Sequence, residues 1–145
     1  MIILANQQTL DKIIQIEANS FKTNDRFSKS VLKYHIRQKK TYCVLNKKEV
    51  VAYMILIYYK NSVRIYSLAV DKPYRRQLFA SRLLSTAYKI AKRKKKKYLS
   101  LEVNINNKDA IDLYLKYKYE NMHTLKNYYH NGDNAYKMIK TLPYK

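Results

Sequence analysis

From Val50 to Tyr59 the chain reads VVAYMILIYY, an unbroken apolar run. A membrane-spanning helix needs about 20 such residues, so this run is too short to cross a bilayer; it suits a buried strand. Two further strand-like runs flank it, TYCVLN (Thr41–Asn46) and VRIYSLAV (Val63–Val70). The spacers Lys47-Lys48-Glu49 and Lys60-Asn61-Ser62 are far too short for a crossover helix. The three runs must therefore pair as antiparallel hairpins.

Helical periodicity brackets this sheet. Gln8 to Phe21 carries apolar residues at Leu10, Ile13, Ile14 and Phe21, a first amphipathic helix. Ser28 is a candidate N-cap for a second helix that turns Val31, Leu32 and Ile36 inward. A third helix is expected from about Ala80 to the Lys92–Lys97 run, with Leu83, Leu84, Ala87, Tyr88 and Ala91 at helical spacing. YLSLEV then alternates as a strand, placing Leu99, Leu101 and Val103 on one face and Ser100, Glu102 and Asn104 on the other. Asn107 can cap a helix whose Ala110, Leu113, Tyr114 and Tyr117 share a face. Two closing strands surround HNGD, where Gly132, the only glycine, serves a turn. The expected order is two helices, three antiparallel strands, helix, strand, helix and hairpin. The strand–helix–strand unit in the middle makes this an α+β (mixed α/β) fold: a central, mostly antiparallel sheet with helices on both faces.

A chain of 145 residues suits one domain, 1–145. Thirty Lys and Arg against 10 Asp and Glu give a formal charge of +20. Such a balance points to an anionic partner (nucleic acid, anionic lipid, an acidic substrate or a polyphosphate cofactor) or to a solvated lysine surface. Cys43, the only cysteine, excludes an internal disulfide and reads as a buried core thiol. The start, MIILANQQTL, lacks a basic n-region and a long apolar stretch. The expectation is a soluble, cytoplasmic protein with no membrane contact. His35, His123 and His130 show no metal-binding spacing, so no metal is expected.

One loop points to chemistry. YRRQLFASRLL, Tyr74 to Leu84, runs from polar residues into a helix start. Helix N-termini favour anions, because unpaired N–H groups and the dipole meet there. Arg75, Arg76 and Arg82 add positive charge and Ser81 a hydroxyl. The alternative is an exposed basic helix start with no ligand.

Three segments together resemble the GNAT acetyltransferase superfamily, and within it the RimI-like ribosomal-protein alanine N-terminal acetyltransferases. LAVDKPYRRQLFASRLL resembles the family's acetyl-CoA motif: a strand ending in Ala-Val, an Arg/Gln-x-x-Gly-x-Gly/Ala loop, then a helix. LEVNINNKDAIDLY resembles Leu-Glu-Val…Asn-x-x-Ala-x-x-Leu-Tyr with its spacing intact, and LKNYYHNGDNAYKMIKTL resembles the closing hairpin. The departures are of one kind: Ala52, Leu78 and Lys118 stand where the family usually has glycine.

The resemblance implies acetyl-CoA as cosubstrate and a primary amine as acceptor. That amine is expected to be a protein or peptide N-terminus, including that of a ribosomal protein; a lysine, polyamine or other small amine is the alternative. A degenerate member binding RNA or ribosomes through its charge is a third reading. Direct attack without an acyl-enzyme, with cofactor binding first, is expected because no nucleophile candidate stands out. The family's cofactor residues fall on Leu68, Ala69 and Val70 at the strand end, on Arg75, Arg76, Gln77, Leu78, Phe79, Ala80, Ser81 and Arg82 around the pyrophosphate, and on Asn107. For the strand residues the alternative is ordinary buried strand. Leu78 damages the loop only if that position needs a positive φ or close phosphate approach. Glu102 falls at the proton acceptor of RimI-like enzymes; its alternative is a carboxylate paired with one of many lysines. Tyr114 falls at the proton donor; its alternative is a core aromatic. Tyr128 and Tyr129 either shape the acceptor entrance or pack across strands. The Lys92–Lys97 run reads as a solvated helix end.

Overall fold

In the computed structural model, residues 1–22 and 25–143 are described. Seven strands and four helices follow in the order β1 (Ile2–Leu4), α1 (Leu10–Ser20), α2 (Lys29–Arg37), β2 (Thr41–Asn46), β3 (Glu49–Tyr58), β4 (Ser62–Val70), α3 (Phe79–Arg93), β5 (Tyr98–Asn104), α4 (Lys108–Lys116), β6 (Glu120–Leu125) and β7 (Ala135–Thr141). A short 3-10 turn, Lys72–Tyr74, links β4 to α3. The strands form one sheet in the order β1-β2-β3-β4-β5-β7-β6. Strands β4 and β5 run parallel, as a crossover through α3 requires, while β1–β2, β2–β3, β5–β7 and β6–β7 are antiparallel. This is the mixed, mostly antiparallel sheet expected from the sequence.

The residues gather into two compact units, Met1–Ile57 with Tyr66–Thr86, and Tyr58–Ile65 with Ala87–Lys145. In the first, Leu10, Ile13 and Ile16 of α1 and Leu32 of α2 pack with Cys43, Tyr53, Ile55 and Ala69 of the sheet. Each fully buried aliphatic side chain there contributes about 1.5–3 kcal/mol. Burial also raises the Cys43 thiol to about 11, so it is an inert core residue. In the second unit, Val63, Leu99, Leu101, Ile90, Ala91, Tyr119 and Met138 are buried. Lys137 of β7 stands opposite Glu102 of β5 in the ladder.

Three expectations need correction. The expected order begins with a helix, but strand Ile2–Leu4 precedes it and pairs with Val44, Cys43 and Tyr42. Three residues give too short an alternation to be seen in sequence. Val31 is exposed rather than inward; Leu32 alone in α2 is fully buried. At i+3 from the Ser28 N-cap, Val31 instead supplies the capped N–H, its nitrogen donating to Ser28 Oγ at 3.3 Å. Ser100 is as buried as its neighbours Leu99 and Leu101, so the polar face of β5 is covered too.

With one glycine in the chain, other residues take left-handed backbone. Lys47 and Lys48 (φ 51° and 67°) close the β2–β3 hairpin, the combination of a type I′ turn usually given to Asn-Gly. Lys95 and Lys118 (φ 57° and 74°) terminate α3 and α4. Both are Schellman ends: Lys96 N donates to Ala91 O at 2.9 Å and Lys95 N to Lys92 O at 3.0 Å, and Tyr119 and Lys118 donate likewise to Tyr114 and Leu115, each at 3.0 Å.

Candidate active site

The phosphate-loop residues lie in the first unit. Strand β4 ends at Val70, and Asp71 turns the chain by accepting from Lys72 N at 3.1 Å. Arg75 folds back: its Nε donates to Val70 O at 3.0 Å and its Nη2 to Ser20 Oγ at 3.4 Å. Arg75 therefore braces the strand end against α1 as well as adding charge. Arg76 and Leu78 both have positive φ, 65° and 67°. Leu78 thus occupies a glycine-type conformation, and the residue is 66% exposed.

A pyrophosphate asks for converging N–H groups and positive charge. Left-handed residues at 76 and 78 give the chain the alternating hand that makes anion-binding concavities. Immediately afterwards α3 opens at Phe79, and the first N–H groups of a helix have no partner within it. Arg82 stands 5.7 Å over the Phe79 ring, which holds its guanidinium at the helix mouth. Phe79 is buried and anchors the turn. The loop's free N–H groups and positive charge suit an anionic phosphate ligand.

The polar cluster around Glu102 lies in the second unit. Arg64 Nε donates to Glu102 Oε1 at 2.8 Å, and Nη2 of the same guanidinium makes a shorter contact with that oxygen. Lys137 Nζ donates to Glu102 Oε2 at 2.7 Å. Tyr128 OH reaches Oε1 at 3.5 Å, and Arg64 also donates to the hydroxyls of Tyr128 and Tyr59, each at 3.4 Å. The Glu102 side chain is only 7% exposed. Burial works against the Arg64 charge, but Tyr59 and the Glu102 carboxylate outweigh it and raise its pKa above the ordinary value. Arg64 lies outside the three motif segments, and Lys137 lies in the closing-hairpin segment without having been singled out. Arg64 carries a signal of its own as the lone cation of β4, and Glu102 as the lone acid of β5; Lys137 shares β7 with Lys140 and carries none.

Tyr114, on the buried face of α4, meets Tyr119 edge-on with ring centroids 5.8 Å apart. Burial pushes its phenol up to about 12, so it stays protonated throughout the neutral range. The Tyr119 hydroxyl is buried with no hydrogen-bond partner among the described residues. Asn107 caps α4, its Oδ1 accepting from Ala110 N at 3.2 Å. Tyr128 and Tyr129 pack edge to face at 5.0 Å, and Tyr128 joins that pair to the Glu102 cluster.

A strand end and left-handed loop open α3, and the strand bearing Glu102 and the helix bearing Tyr114 follow, the order of segments on which the resemblance rests. The model of the acetyltransferase (GNAT) family matches residues 10–119, and this chain belongs to that family. It is accordingly an N-acetyltransferase of the GNAT type, an acyltransferase. A Bacillus subtilis (strain 168) protein, provisionally named ribosomal protein bS18-alanine N-acetyltransferase, is 30% identical over 140 residues, 93% of this chain and 91% of its own length. Among solved structures, Ard1 from Thermoplasma volcanium superposes with a TM-score of 0.91 at 22% identity, covering 99% of this chain and 98% of that one. The ribosomal-protein-S18-alanine N-acetyltransferase from Escherichia coli gives 0.87 at 21%, over 100% and 95%. Among the described residues no helix is long and apolar enough to cross a membrane.

Proposed function

We propose that this chain, acting as one GNAT domain, transfers the acetyl group of acetyl-CoA to the α-amine of a protein N-terminus, a ribosomal protein being the first acceptor to test. The observation that carries the acceptor is the 30% identity over 93% of the chain to a protein named for ribosomal-protein alanine acetylation. Acetyl-CoA supplies an activated acyl carbon and a thiol leaving group. The residues of this chain supply the rest. Backbone N–H groups from Arg76 to Ser81, with Arg82, hold the pyrophosphate, and Asn107 adds a contact from the start of α4. Backbone of Leu68, Ala69 and Val70 lines the pantetheine arm.

An α-amine must lose a proton to attack, and Glu102 accepts it. Both Glu102 oxygens already have cationic donors, so an incoming ammonium either displaces Lys137 or passes its proton through an intervening water. Tyr114 returns a proton to the departing sulfur, a role its buried, protonated phenol suits. A second reading is favoured by the same ion pairs: Glu102 ties β4, β5 and β7 together and takes no part in proton transfer.

A thiol-release assay with acetyl-CoA tests the acceptor. The panel is peptides with free N-termini, N-blocked peptides bearing an internal lysine, and polyamines. Turnover confined to free N-termini supports the proposal. Turnover only with lysine or polyamine overturns it in favour of a small-amine enzyme.

A further inference from the structure

Between Asp71 and Glu102 the sequence has no acidic residue, while Lys92, Arg93, Lys94, Lys95, Lys96 and Lys97 follow one another without interruption. A helix C-terminus favours one or two cations. Blocks of five or six like charges repel and are usually disordered. Here the block is folded into a fixed surface. Lys96 Nζ donates to the carbonyls of Tyr59 and Lys60, the latter at 3.3 Å, and Lys97 N donates to Asn61 O at 2.7 Å. Lys94 Nζ sits 4.9 Å from the Tyr58 ring centroid. The β3–β4 turn and the α3–β5 turn are thereby locked together. On these two turns and the last turn of α3, Lys60, Lys92, Lys94 and Lys97 are exposed, and Tyr59 is 46% exposed.

Holding six like charges together costs electrostatic free energy. The cations hydrogen-bonded to Glu102 are Arg64 and Lys137, not members of this run. We propose that this surface docks RNA. A phosphodiester chain offers the regular negative charge that a run of cations complements. An exposed tyrosine among lysines supplies a face on which a base can stack. A lipid surface fits less well, since interfacial binding needs apolar side chains beside the cations and this patch carries Lys, Arg, Asn and Tyr. The choice of RNA rests on the proposed function, because a ribosomal-protein acceptor is met beside RNA.

The test is fluorescence anisotropy with a labelled single-stranded RNA of about 16 nucleotides, a length one binding groove can span, across a salt series. The variants are Lys60→Gln/Lys92→Gln/Lys94→Gln/Lys97→Gln and a charge-matched control, Lys29→Gln/Lys33→Gln/Lys39→Gln/Lys48→Gln. Circular dichroism melting confirms that both are folded. The patch variant should bind about tenfold or more weakly at low salt. Its slope of log K against log salt should shrink by about 3, at roughly 0.7 for each phosphate no longer neutralised. The control should keep most of the affinity. Equal losses in both variants, no loss in either, or patch-dependent binding to phosphatidylserine vesicles without RNA binding would each overturn the proposal. Peptide acetylation is read on the same preparations. If no N-terminus is acetylated, the proposed function fails while the RNA result stands by itself.

Discussion

Arg64 grips one oxygen of Glu102 through two nitrogens, and Lys137 takes the other oxygen at 2.7 Å. Two cations on one carboxylate make Glu102 either a tie between strands or a base whose proton route is gated by Lys137. Lys137→Met separates these. If Glu102 accepts the amine's proton, removing Lys137 opens Oε2 and the rate holds or rises, whereas Glu102→Gln loses about 10² to 10⁴. The loss in Glu102→Gln should be greatest at low pH, where unprotonated amine is scarcest. If the cluster is a tie, both variants melt earlier and lose activity in parallel, because each removes an ion pair that joins the strands.

Leu78 has a φ of 67° and is largely exposed. Leu78→Gly relieves left-handed strain of roughly 1–2 kcal/mol and adds unfolded-state entropy costing about 0.4–1 kcal/mol. The variant should therefore be as stable as the parent or slightly more so. Acetyl-CoA affinity by calorimetry should hold or improve. A loss of affinity would mean that the leucine itself contacts the ligand.

The order of elements from α1 onward was legible because periodicity and short spacers act locally. Val50–Tyr59 could only be a strand, and its neighbours could only be hairpin partners. The site motifs were legible as a resemblance in three segments. What the sequence hid depends on contacts distant along the chain. Arg64 and Glu102 are 38 residues apart, so their pairing follows only from β4 lying beside β5. Left-handed lysines were invisible because propensity assigns such positions to glycine, and this chain has one. Strand β1 was hidden by its length.

Lys118 illustrates the cost of that composition. It holds the left-handed position of the α4 Schellman end with φ 74°. Lys118→Gly keeps both capping hydrogen bonds, which come from backbone, and removes the clash of Cβ with the chain. A gain of about 1 kcal/mol is expected, seen as a rise of a few degrees in melting temperature. An unchanged or lowered melting temperature would show that the lysine side chain contributes a compensating contact.

Tyr114→Phe tests the proton donor. Its phenol stands at about 12 through burial, so it stays protonated across any assay range up to about pH 10. The wild-type rate should show no inflection from Tyr114 there. The variant should lower kcat at every pH while acetyl-CoA affinity stays nearly constant, since the ring still packs against Tyr119. Thiolate is a good leaving group, so a smaller penalty is expected than at Glu102. A few-fold loss, with chemistry shown to be rate-limiting, would return Tyr114 to a packing role.

Glu17 gives the fold a pH dependence separate from catalysis. It is buried on α1; its Oε2 accepts from Phe27 N at 2.8 Å, and the Tyr53 hydroxyl makes a very short contact with Oε1 and lies 3.4 Å from Ser67 Oγ. Burial raises its pKa from 4.5 to about 7, against the opposing pull of the Phe27 N–H and the Arg26 charge. The protonated form is thus favoured by the fold. Between pH 4.5 and about 7 the native state holds a proton that the unfolded chain has lost. The stability Glu17 contributes is fully present below the lower value and is lost as pH rises through the upper one. Glu17→Gln fixes the neutral form. Urea unfolding from pH 4 to 8 should show the variant gaining on the parent across that window and then running parallel to it. A constant difference at all pH values would mean that Glu17 titrates in the fold as it does in the unfolded chain.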